Sequence, residues 1–446
     1  MKGLVALPKQ GLRRSFSRFS RFSSPVLCFG TGMILFLLLW LLCGITSAKT
    51  TIVYWIWDLN QKPATEQLIQ MYHKAHTDIQ VRLEVIPYGE YWNKLPVALA
   101  GDAGPDVFWV NPNNYASLVM QGALLDLTPF LNQDPDAMAN FRRMLPLLQR
   151  LYTFDDRVYA IPRDFDTIAV VYNADAVEEA GLEAPAKVEA TWDWNTFATY
   201  AQKLTKWKGD QMVRAGYMLA VWAQGIYYNP IWSNKGEIFS EDGKRCTLSS
   251  PAVVQAVQWL ADLQLKLRVA SGAYIPTGKS AMETNGSWIM RLYRQQIKFK
   301  WDVAELPLSP HTKTRGSSLN GLANSVNARS KNVEAAVDFV KFLGSKEAAL
   351  VLGTTGTVIP SHLDAVMSYF KPGVLPANQA AFARAAAYGH LLPVNRYIGA
   401  GFEARIDAAM TDILDGKVGV EKALKEAEDD INAMIKAALS RAEKKE

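Results

Sequence analysis

The chain alternates between apolar runs of strand length and stretches with helical spacing. Residues 51–57 (T-I-V-Y-W-I-W) form a continuous apolar run, the pattern of a strand covered on both faces. Asp58-Leu59-Asn60 ends it, and Pro63 stands where the first turn of a helix accepts proline, in a stretch reaching Ala75. Residues 81–86 alternate apolar and polar side chains as a half-buried strand does, and 90–99 read as a short amphipathic helix. After the turn G-D-A-G-P, residues 106–110 are a third strand, closed by Asn111-Pro112-Asn113-Asn114. This strand–helix succession predicts a parallel α/β sheet, in which ligands sit beyond the carboxyl ends of the strands. Trp57, Asp58, Asn60, Trp109 and Asn111 fall at such ends.

The stretch from Tyr159 to Asp175 (Y-A-I-P-R-D-F-D-T-I-A-V-V-Y-N-A-D) carries charge into an apolar run. Pro162 holds Ile161 extended, and residues 168–172 read as a strand buried on both faces. Asp164 and Asp166, two apart, share a face in extended geometry. Helices are predicted at 175–181, 196–205, 251–267, 333–343, 402–415 and 420–438, a strand at 302–306, and a turn at 284–288. Between Tyr217 and Asn234 lies the most aromatic part of the chain, with Gln224, Asn229 and Asn234 interleaved among its tyrosines and tryptophans.

The first 48 residues change the charge argument. They hold Lys2, Lys9, Arg13, Arg14, Arg18 and Arg21, no acidic residue, and the apolar run 33–45, shorter than the ~20 residues a spanning helix needs. Thr46-Ser47-Ala48 supplies small residues for cleavage, so residues 1–48 are expected to be an export signal. The competing reading is an uncleaved anchor. Arg13-Arg14 resembles a twin-arginine signal, and Cys43, preceded by Leu42, lacks a lipoprotein acceptor context. The whole chain has 48 basic and 43 acidic residues; without the six in the leader, 42 remain against 43. The excess positive charge belongs to the leader, which removes electrostatic support for a nucleic-acid partner. Cys246 alone remains after cleavage and cannot form an internal disulfide. About 400 residues exceed one core, so two lobes are expected, and with no repeat or low-complexity linker several short crossings should join them.

Flat aromatic faces take the CH face of a sugar ring, while carboxylates and amides pair with its hydroxyls. Trp57, Trp109, Tyr228, Trp232 and Trp288 are candidate platforms; Asp58, Asp164, Asp166, Asn285 and Asn320 are candidate polar partners. Trp207, Trp259 and Trp301 are read as structural. Gly278-Lys279-Ser280 lacks the earlier glycine of a phosphate-binding loop, His73 and His76 read as solvated rather than metal-binding, and no G-x-S-x-G elbow occurs. Asp164 and Asp166, adjacent on one strand, are poorly placed to flank a glycosidic bond from opposite sides.

Five segments, in order, resemble the extracellular solute-binding proteins of family 1, the sugar-binding components of ABC importers that include maltose-binding protein. They are G-D-A-G-P-D-V-F-W-V-N-P (101–112), Y-A-I-P-R-D-F-D-T-I-A-V-V-Y-N (159–173), N-G-S-W (285–288), A-V-D-F-V-K-F-L-G-S-K-E-A (336–348) and T-G-T-V-I-P (355–360). The resemblance implies an α/β, two-lobed periplasmic-binding-protein fold with hinge crossings near 164–168, 318–322 and 358–361 and an interlobe ligand cleft. One lobe would comprise 49–164 plus 322–358, the other 165–321 plus 359–446. It further implies that Trp109 and Trp288 stack on sugar, that Asp166 bonds sugar hydroxyls, that Tyr228 lies in a segment supplying another aromatic, and that Asn395-Arg396-Tyr397 contributes near the cleft, with Arg396 suiting an anionic or highly hydroxylated ligand. The expected protein is a periplasmic monomer without catalysis, cofactor or metal, whose partners are a carbohydrate and the permease subunits of the inner membrane. A secreted carbohydrate-active enzyme using Asp164 or Asp166, and a sugar-binding component of a membrane sensor, are the alternatives.

Overall fold

The computed structural model describes residues 49–101, 104–395, 397–399 and 401–443. The leader, with its expected cleavage site, and Arg396 lie outside them. In chain order come β1 (Thr50–Ile56), α1 (Lys62–Ala75), β2 (Ile79–Val85), α2 (Tyr88–Ala100), β3 (Val107–Val110), α3 (Pro112–Met120), β4 (Ile161–Pro162) and β5 (Asp164–Asn173). They are followed by α4 (Trp194–Leu204), α5 (Pro251–Leu265), β6 (Met282–Gly286), β7 (Trp301–Ala304), β8 (Ser317–Asn320) and β9 (Ala323–Val326). Then come α6 (Val333–Leu343), α7 (Lys346–Thr354), β10 (Ile359–Pro360), β11 (Gly389–Leu391), α8 (Glu403–Leu414) and α9 (Val420–Glu443). Among the described residues no helix is long and apolar enough to cross a membrane.

Two sheets define two lobes. The first has the order β2-β1-β3-β9-β4, with β1 parallel to β2 and β3, and β9 antiparallel to β3 and β4. Helices cover both faces: Ile52, Tyr54, Leu68, Tyr72 and Phe339 pack on one, Tyr91, Leu95, Phe108 and Val110 on the other. His73 and His76 are not simply solvated. His73 Nε2 accepts from the Val81 amide at 2.9 Å, tying α1 to β2, and His76 stacks on Tyr72 and faces Asp338 at 3.2 Å.

The second sheet is organised round β5, all ten residues of which are buried. β6 and β7 pair antiparallel with the same residues of β5 from opposite edges, while β8 and β10 take Asp166–Thr167 and Asp164–Phe165. The pleat sends Ile168, Val170 and Tyr172 into one core and Phe165, Ala169 and Val171 into another. The strand expected at 168–172 is therefore longer, because partners from three later parts of the chain satisfy its first half. Residues 284–286, expected in a turn, belong to β6, since Thr284, Asn285 and Gly286 pair with Val170, Ala169 and Ile168.

The chain crosses between sheets at Arg163, returns at Gly321-Leu322, and crosses again between α7 and β10. The crossings are laced together. Arg163 N donates to Leu322 O at 2.7 Å, Ser361 N to Arg163 O at 3.2 Å, and Leu322 N to Asp164 Oδ1 at 3.0 Å.

Candidate functional site

A cavity of about 410 Å³ opens beside these crossings, with walls from both lobes. The first lobe supplies Trp57 and Asp58 at the end of β1, Gln61, Tyr88, and Asn111 and Asn113 after β3. The second supplies Asp166 from β5, Trp222 and Gln224, Trp288 after β6, and Asn320 at the end of β8; Asp164 lies at the crossing. Strand ends point here because each helix-covered sheet first exposes side chains where its strands stop.

Two tryptophans are held flat by glycines. A Cβ on Gly286 would fall 1.7 Å from Trp288 Cζ3, and one on Gly225 would fall 2.1 Å from Trp222 Cε3. Each indole therefore rests against bare backbone, and the two rings meet edge to face with centroids 6.2 Å apart. Trp57 stands edge-on to Tyr88, Tyr91 and Trp109 at 5.7, 5.0 and 5.1 Å.

The carboxylates are each partnered, differently. Asp58 accepts from Asn60 N at 2.8 Å and from Gln61 Nε2 at 2.9 Å. Asp164 pairs with Arg163, and both are buried. Asp166 accepts from Gln224 Nε2 at 2.9 Å and Asn320 Nδ2 at 3.2 Å, with no cation. Burial raises the Asp164 carboxyl, opposed by the Arg163 guanidinium. Asp166 is pushed well above the usual carboxylate range by burial and by the neighbouring charge of Asp164.

Of the candidate residues, the structure brings Trp57, Asp58, Asn111, Asp164, Asp166, Trp288 and Asn320 to the cavity. Four others it buries elsewhere. Trp109 is fully buried, its indole N–H donates to Tyr54 OH at 2.6 Å, and Arg163 lies over its ring at 4.4 Å, so no face is left for a ligand. Tyr228 is fully buried beside Tyr227, and Trp232 is stacked on His390 with centroids 5.0 Å apart. Asn285 is buried with its Nδ2 donating to Glu283 Oε1 at 2.5 Å. The Asn60 side chain is exposed; its backbone carbonyl takes Arg291 Nη1 at 2.8 Å.

Trp222, Gln224, Gln61, Tyr88 and Asn113 were not among the sequence candidates. For Trp222 and Gln224 a signal existed in W-A-Q-G, a tryptophan three residues before a glycine, the space its ring occupies. Outside the cavity wall, Asn113 Nδ2 reaches Glu403 Oε1 at 3.4 Å, a second link from the first lobe to the other beside that of Arg291. Burial and Asp407 raise the Glu403 carboxyl to about 7.

Two α/β lobes, a cleft walled by both, and three crossings laced at its base are the architecture of a two-lobed solute-binding protein. The chain belongs to the bacterial extracellular solute-binding protein family, whose model matches residues 57–350. It is 23% identical over 332 residues to the arabinooligosaccharide-binding protein of Bacillus subtilis (strain 168), covering 69% of this chain and 73% of that one. An ABC substrate-binding protein of Listeria monocytogenes in complex with cycloalternan superposes with a TM-score of 0.78 at 26% identity, over 87% of this chain and 99% of that chain. The GacH receptor of Streptomyces glaucescens, solved unliganded and with acarbose, shares the fold with a TM-score of 0.74 at 22% identity, over 87% and 99%.

Proposed function

We propose that this chain is the exported receptor of an ABC importer, taking a mono- or oligosaccharide into the interlobe cleft and delivering it to a permease in the inner membrane. The observation that carries the reading is the pairing of two glycine-seated indoles, Trp222 and Trp288, with the amide-held carboxylate of Asp166 in one cavity. Indole faces suit the CH faces of sugar rings, and a carboxylate with fixed donors accepts hydroxyls in one orientation. The relatives named for arabinooligosaccharides, cycloalternan and acarbose support the same class. The leader fits a periplasmic protein released by cleavage near Ala48.

Hydrolysis is disfavoured. Asp164 is committed to Arg163 and Leu322, Asp166 to two amides, and both stand on one strand rather than across a bond. The test is thermal unfolding of the chain against mono-, di- and oligosaccharides. A ligand at a thousand times its dissociation constant adds about 4 kcal/mol to native stability. One strong hit with the sugar recovered intact is expected. A flat panel, or a cleaved sugar, would sink the reading.

A further inference from the structure

The described wall of the cleft carries acidic side chains and no cationic one. Three carboxylates, Asp58, Asp164 and Asp166, line it, and among its described lining residues there is no lysine, arginine or histidine. Arg163 is buried behind the wall, paired with Asp164 and stacked on Trp109. Asp58 and Asp166 have only amide partners.

Those amides are oriented by the acids. Gln61 donates to Asp58, Asn320 to Asp166 and Asn113 to Glu403, which turns the carbonyl oxygen of each away from its carboxylate. Flipping any of them would set oxygen against oxygen. The three freed oxygens, Gln61 Oε1, Asn320 Oδ1 and Asn113 Oδ1, are buried and have no partner. Gln61 itself is only 5% exposed. An unpaired buried acceptor costs roughly 1–3 kcal/mol, so the bound ligand is the expected source of the missing donors. Burial is the main cause that raises the carboxyls of Asp164 and Asp166, and the neighbouring acids add to it, Asp58 of the first lobe at Asp164 and Asp164 at Asp166. Closure without a counter-charge works against the repulsion among these acids.

Resting on the saccharide reading above, we propose that the sugar this cleft selects carries a protonated amine, seated among Asp58, Asp164 and Asp166. An ammonium offers three donors and no acceptor, relieves the repulsion between the lobes, and is compatible with the indole faces of Trp222 and Trp288. An uronate or a sugar phosphate would bring further negative charge to a wall that already carries three acidic side chains, and is excluded by the same argument.

The experiment is calorimetric titration of the full chain, at slightly acidic pH, with matched disaccharides in both α and β linkage. Within each set one position carries hydroxyl, amine, acetamide or carboxylate. The amine is expected to bind at least about tenfold tighter than the hydroxyl, the increment of a hydrogen bond to a charged group. The carboxylate should give no heat, and added salt should shrink the preference for amine. Asp58→Asn, checked for an unaltered unliganded melting temperature, should bring the amine-to-hydroxyl ratio close to one. A hydroxyl or carboxylate sugar binding as tightly as the amine would overturn the charge assignment while leaving the saccharide reading standing. An undiminished amine preference in Asp58→Asn would overturn it too. Silence from every sugar would remove the saccharide reading and this one with it.

Discussion

Trp288 lies on Gly286 so closely that a single methyl group at that glycine would occupy the space of its six-membered ring, 1.7 Å from Cζ3. Gly286→Ala should therefore displace the platform without removing it. Trp288→Ala is expected to weaken ligand binding by more than about 1 kcal/mol, and Gly286→Ala to approach that loss. Trp259, stacked on Trp194 with centroids 4.9 Å apart, is the control. Trp259→Ala should lower unfolding stability by about 2 kcal/mol or more and leave affinity alone. Titration and denaturant melts on the three variants separate the outcomes; equal losses of affinity at 288 and 259 would refute the platform assignment.

Asp166 is the acceptor held between Gln224 and Asn320. In Asp166→Asn the two amides face an amide in place of the carboxyl that accepts from both, and affinity should fall about tenfold or more. No product of sugar cleavage should appear with either protein. Turnover present in the parent and lost in the variant would restore an enzymatic role.

Glu403 gives stability a pH slope. Its folded carboxyl is raised to about 7 by burial and Asp407, above the ordinary value of 4.5. Between those values the folded chain holds a proton that the unfolded chain has released, so its contribution favours folding at low pH and is lost as pH rises through 7. Urea melts from pH 4.5 to 7.5 should show a slope that Glu403→Gln flattens. An unchanged slope in the variant would assign it to other groups.

Arg291 bridges the lobes without lining the cavity, donating to the Asn60 carbonyl at 2.8 Å. Arg291→Ala should loosen the closed form, raising the ligand dissociation rate several-fold with little effect on association. Stopped-flow release measurements test this, and an effect confined to association would contradict it.

Most of the fold was legible because its strands are buried runs of the right length between polar ends. β3 illustrates both the strength and the limit of that signal. Its position was plain, yet all four of its residues are buried, because helices cover both faces of its sheet. The tryptophan in its third place therefore points into a core, and Asn111, two residues on, is the first side chain to reach the cavity. Sequence marks the strand end but not which residue clears the packing. Tyr228 and Trp232 failed for a related reason: in a segment aromatic on every side, composition does not say which ring faces out. The turn of Ala223–Tyr227 resolves it, exposing Trp222 and burying Tyr228. Asp164 and Asp166 stood out as charges next to an apolar run, and the structure brings both to the cavity wall.

β5 starts directly after the first crossing at Arg163, carries Asp164 and Asp166 in its first three residues, and is clamped along the rest of its length by later strands. In the proposed reading, the grip on the solute would thus lie close to the crossings that join the lobes. Mechanically, that would be a lever loaded near its fulcrum: a small displacement at Asp166 would be multiplied across the lobe before it reached the outer rim. A docking partner on the rim would sense occupancy as a large change of shape, while the solute itself hardly moves.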